Sequence, residues 1–181
     1  MNTQNIIDRL REILDDETIN QLKCELNGYH VADLADIFQE LKPEERLQCF
    51  KLLDVEKAAD LIEYLPPQMQ VELLGDIDEN LASQIITQLP HDAAADVLGD
   101  MEDDETETYL DKLPHKFSEE VRELLTYKEN TAGGIMNPAV LTVNSDMSVH
   151  DVLDYIRIKA EKDNMELYYV YVTDKQNRSE E

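Results

Sequence analysis

The sequence predicts a mainly α chain: a right-handed helical-repeat superhelix of 24-residue repeats, followed by a partial α/β motif. Three observations predict it. Leu-Pro pairs recur at Leu65-Pro66, Leu89-Pro90 and Leu113-Pro114, one step of 24 residues apart each time, and a fixed period of roughly 20–50 residues marks a solenoid. Within one repeat, Leu81, Ala82, Ile85, Ile86 and Leu89 share one helical face. After Asn130 the character changes to small residues and then a β-branched run. These boundaries give a helical domain over 1–128, a linker over 129–138 and a truncated strand–helix–strand motif over 139–181.

Taken in order, Thr3–Asp15 and Glu17–Leu26 read as the first two helices, the second closed by Asn27-Gly28. His30–Leu41 starts the array, with Leu41 one step before Leu65. Each repeat divides into a longer and a shorter helix, as in Pro66–Leu74, then Asp78–Leu89, then Asp92–Leu98. Proline ends one helix and suits the first turn of the next. Gly75 and Gly99 are expected as left-handed caps, a conformation that costs glycine nothing. The last helix of the array is expected over Phe117–Tyr127. Helices of this length are marginal alone in water, so neighbours must hold them.

In the second segment, Thr131-Ala132-Gly133-Gly134 reads as a hinge and Val140–Val143 as a strand. Ser148 with Asp151 three residues on is a variant of the capping box. Val149, Val152, Leu153 and Ile156 mark the expected buried stripe of the helix that follows. Leu167–Val172 is expected as a buried second strand, its tyrosines in the core rather than in a ligand box. One strand–helix–strand unit cannot cover both faces of its strands, so the sequence is expected to end inside a domain.

Composition narrows the function. Forty-one acidic residues stand against 16 basic ones, a net charge of −25. Nucleic acid is excluded as a partner, because its electrostatic attraction has the wrong sign here. Anionic membranes are disfavoured for the same reason, whereas cations and basic protein surfaces are attracted. Acidity serving only solubility is the plain alternative. There is no apolar run of roughly 18–20 residues and no signal peptide, which points to an intracellular chain. Cys24 and Cys49 read as reduced, buried thiols. His30, His91, His115 and His150 are too scattered for zinc, and the repeat-related His91 and His115 read as structural. No nucleophile–base pair supports an enzyme. Glu102–Glu105 is a solvated acidic helix start without EF-hand spacing.

The acidic helical repeats, the linker Thr131–Met136 and the stretch TAGGIMNPAVLTVNSDMSVHDVLDYIR together resemble the cytosolic part of MgtE magnesium transporters. The last two-thirds of that stretch resembles a CBS motif. The resemblance implies a domain on the cytoplasmic face of the cell membrane that senses Mg2+ and gates an attached channel by ion-bridged closure. It also implies Mg2+ as the bound ion, a homodimer formed through complete CBS domains, and the transmembrane domain of the same transporter as partner. Transport and nucleotide binding do not carry over to these residues. The rival is a helical-repeat scaffold for a protein partner, distantly similar to helical modules of the flagellar motor switch.

Magnesium prefers oxygen ligands, keeps several waters, and is held by one or two carboxylates per surface. Asp92 and Asp96 are four apart and so share one helical face, and the resemblance places the family's acidic ligands at both. It places a further acidic contact at Asp60. The alternatives remain a first-turn acid for Asp92 and a solvated helix position for Asp60.

Overall fold

The computed structural model describes residues 7–8, 10, 19–127, 131, 133, 136, 140–163 and 169–174. They divide into two compact units, Met1–Met136 and Asn137–Glu181. The first contains α1 (Ile19–Gly28), α2 (Val31–Glu40), α3 (Pro43–Phe50), α4 (Val55–Tyr64), α5 (Pro67–Gly75), α6 (Glu79–Gln88), α7 (His91–Gly99), α8 (Asp103–Leu110) and α9 (His115–Leu125). The second contains β1 (Leu141–Asn144), α10 (Val149–Asp163) and β2 (Val170–Thr173). The expected helix at Thr3–Asp15 falls mostly outside the described residues; within it, Ile7 and Leu10 are buried.

Helices of the first unit pack mainly in pairs two places apart. α2 lies on α4 and α4 on α6, while α1 lies on α3, α5 on α7 and α7 on α9. The leucines that end the longer helices supply the common core. Leu41, Leu65 and Leu89 are C-caps in extended conformation, and with Leu113 all are nearly fully buried. The next residue then opens the following helix. Lys42, Pro66, Pro90 and Pro114 are N-caps, also extended. Prolines at 66, 90 and 114 therefore sit one position before the first turn, where a missing N–H costs nothing.

Side chains complete the helix ends. His30 caps α2, its Nδ1 accepting from the Ala32 N–H at 3.3 Å. Asp78 caps α6 by accepting from Asn80 and Leu81. At the other end of α2, Arg46 of α3 donates from Nε to the Phe38 carbonyl at 2.9 Å and from Nη2 to Leu41 at 3.0 Å. Gln70 of α5 repeats the device on α4, donating from Nε2 to Ile62 at 2.7 Å and Leu65 at 2.9 Å. Last-turn carbonyls have no partner within their own helix, so these donors matter most where water is excluded. The structural reading of His91 agrees with its contacts: Nε2 meets Glu120 Oε2 at 2.7 Å, and the ring lies 4.5 Å from that of Phe117. It thus joins α7 to α9.

Several expectations need correction. Gly75 and Gly99 are not left-handed caps; both are helical, and right-handed Asp76 and Asp100 follow them. The Asp100 N–H returns to the Asp96 carbonyl at 3.2 Å, so the turn closes without a left-handed residue. Cys24 is exposed; Cys49 is buried, and burial followed by the charge of Glu45 pushes its thiol up to about 12, which leaves it unreactive.

The second unit is a parallel pair, with Leu141 opposite Val170 and Asn144 opposite Thr173. The Ser148–Asp151 cap forms, with a change: the Asp151 N–H donates to Ser148 Oγ at 3.2 Å, and that hydroxyl donates back to the Asp151 carboxylate at 2.6 Å. The buried stripe of α10 does not hold, because Val149 is 77% and Leu153 48% exposed. Nor is the expected second strand buried: Tyr169 is 76%, Tyr171 47% and Val172 41% exposed. Two strands and one helix bury only one face, here Leu141 and Val143. Leu167 and Tyr168 fall outside the described residues.

Candidate functional site

The candidate carboxylates sit on α4 and α7. α7 runs from His91 to Gly99, so Asp92 and Asp96 belong to one continuous helix and share a face. Ala94, Ala95, Val97 and Leu98 bury the opposite side. Asp100 is the C-cap and leaves the stripe. Asp96 is exposed; Asp92 is half-buried in the first turn. Asp92 therefore does meet the helix dipole, as a first-turn acid should. The dipole does not account for all of its environment, since its Oδ1 is buried without a hydrogen-bond partner. A buried carboxylate oxygen left unpaired is costly unless something positive reaches it.

Asp60 is exposed on α4 and lines a shallow cleft with His30, Val31, Lys57, Glu63 and Tyr64. Lys57 is engaged in this cleft, donating from Nζ to the Tyr29 carbonyl at 2.6 Å. Glu63 is the residue that sequence reasoning missed. Its carboxyl is raised above the ordinary range, first by burial, then by the charge of Asp60, then by that of Asp92. One carboxylate on α4 thus feels acids from both helices. The signal in the sequence was only the three-residue spacing of Asp60 and Glu63, which is common on solvated helix faces.

A carboxylate whose folded pKa exceeds its unfolded value binds more protons folded than unfolded between the two values. Its cost is therefore present above the folded pKa and is relieved as pH falls through it. Glu63→Gln is expected to melt at a higher temperature than the native chain at about pH 7, with the gap closing towards about pH 4.5. A gap that stays constant over that range removes the repulsion from the account.

Among the described residues, no group of three or more His, Cys, Asp or Glu side chains is arranged to hold a metal ion. The carboxylates present fit a cation that takes one or two protein oxygens and keeps the rest of its shell as water, which is how magnesium binds. The acidic run Glu102–Glu105 is exposed at the start of α8.

The fold and the acidic face define a class: a stacked-helix domain with a strongly acidic surface, followed by a small parallel α/β unit. The chain belongs to the MgtE intracellular N domain family, which it matches over residues 29–130. It is 41% identical over 59 residues to the magnesium transporter MgtE of Thermus thermophilus, covering 33% of this chain and 13% of that protein. The chain thus spans about an eighth of that relative's length. The crystal structure of the cytosolic domain of the Mg2+ channel MgtE in complex with ATP superimposes with a TM-score of 0.87 at 32% identity. That match covers 96% of this chain and 71% of the other. The soluble part of a magnesium transporter has the same fold, with a TM-score of 0.77 at 22% identity over 98% of this chain and 70% of that one. No helix among the described residues is long and apolar enough to cross a membrane.

Proposed function

We propose that this chain is the cytoplasmic regulatory region of a magnesium channel, sensing intracellular Mg2+ and gating an attached transmembrane domain by ion-bridged closure. The observation that carries the proposal is the unpaired, buried Oδ1 of Asp92, beside an α4 carboxyl that its charge helps to raise. Without a cation these acids repel. A hydrated Mg2+ held by one or two of the carboxylates Asp92, Asp96 and, on α4, Asp60 would turn that repulsion into attraction towards an opposing acidic surface. The proposal includes a right-handed superhelix of 24-residue repeats over 1–128, a linker over 129–138 and a partial CBS motif over 139–181. It further includes a homodimer formed through complete CBS domains, at the cytoplasmic face of the membrane, and no catalytic activity. Family membership and the likeness to a channel's cytosolic domain support this reading.

Melting and small-angle scattering in magnesium, against sodium chloride of equal ionic strength, test it. Binding to the folded state alone is expected to add about 1.4 kcal/mol at a magnesium concentration ten times the Kd. The gain should be lost in Asp92→Asn/Asp96→Asn. Equal curves in the two salts would instead identify a helical scaffold whose acidity serves solubility. A magnesium effect that survives the double substitution moves the ion away from α7.

A further inference from the structure

The connector after α9 carries a contact that its glycines do not advertise. The side chain of Tyr127 lies over Gly133: a Cβ on Gly133 would stand 2.5 Å from the ring Cδ1, 2.6 Å from Cγ and 3.1 Å from Cε1. The first two distances are below the 3.0 Å that real Cβ atoms keep. Cγ is the root of the ring, so no small tilt of the phenol relieves the clash, and the whole side chain must leave its rotamer. Glycine is needed at 133 because the ring approaches the backbone closely. Further along, Met136 is half-buried and packs against the core of the helical unit, which extends to that residue.

We propose that Tyr127 and Gly133 form a clamp that fastens the connector to the helical unit, with Met136 as a second anchor. The Gly133 hinge expected from the sequence is accordingly replaced by a fixed point; Gly134 falls outside the described residues.

Amide hydrogen exchange at Gly133 and Met136, followed by NMR in the full chain, tests the clamp. Gly133→Ala is expected to accelerate exchange at Met136 about tenfold, with helix content unchanged. Tyr127→Ala should accelerate it to a similar extent, because the ring is gone. Adding Gly133→Ala to Tyr127→Ala should then change exchange by less than about twofold, since the ring that the methyl group would strike is gone. Native-like exchange in Gly133→Ala would overturn the clamp. So would an equal acceleration by Gly133→Ala with and without Tyr127. If Gly133→Ala alone fails to fold, the comparison between Tyr127→Ala and the double variant still decides, because refolding of the double variant is itself the expected rescue.

Discussion

Phe38→Ala is expected to lower the unfolding free energy by about 3–5 kcal/mol, the cost of deleting a buried ring and leaving most of its cavity behind. Phe38 lies on the buried face of α2 and is fully enclosed. Its ring meets that of Phe50, the last residue of α3, edge-on at 6.4 Å and 73°. The two phenylalanines hold neighbouring helices that are each ten residues or shorter, below the roughly 12–15 at which a lone helix is even marginal. A whole domain is stable by about 5–15 kcal/mol, so this loss is a large share of the total. Urea unfolding followed by far-UV circular dichroism measures it. Tyr64→Ala is the control, because Tyr64 is 56% exposed and should change stability by no more than about 0.5 kcal/mol. A Phe38→Ala midpoint within error of the control would show that the core closes around the missing ring.

Arg46→Met is expected to cost about 3 kcal/mol, because it strips charged donors from two carbonyls while keeping the apolar stem. Arg46 is 9% exposed, and its guanidinium serves Phe38 and Leu41 at once. Glu72 lies 3.7 Å from Nη1 and is itself exposed, so this pair adds little. Arg46→Lys should fall between, since one ammonium cannot reproduce the fork. Gln70→Ala should cost less, about 1 kcal/mol, because its bonds to Ile62 and Leu65 are neutral. The expected order is Arg46→Met, then Arg46→Lys, then Gln70→Ala. Equal losses for the first and last would mean that charge contributes nothing at this helix end.

The same pair of residues shows how much was legible in the sequence. Arg46 and Gln70 stand one repeat apart, as do their acceptors, yet neither stands out in the sequence, because a polar residue among apolar ones looks like any surface position. Its role depends on which carbonyls the neighbouring helix leaves uncovered, and that is a tertiary fact. The Leu-Pro steps were legible because a buried leucine and a helix-starting proline are each recognisable alone. In the site, Asp92 and Asp96 were legible as an i, i+4 pair. Glu63 was not, since its perturbation comes from burial and from acids on its own helix and on α7.

The sequence by itself determined the Leu-Pro junctions between helices and that the chain is strongly acidic. It also set the change to a strand–helix–strand unit after Asn130. Those features follow from local causes: apolar periodicity, missing N–H groups, capping side chains and counted charge. Only the tertiary structure decided that Gly99 ends α7 within the right-handed helix, that Gly133 lies beneath the Tyr127 ring, and that Val149 and Tyr171 face outward. It likewise decided that one oxygen of Asp92 is buried unpaired. Each of these depends on how close another part of the chain comes, and distance through space is not encoded by spacing along the chain.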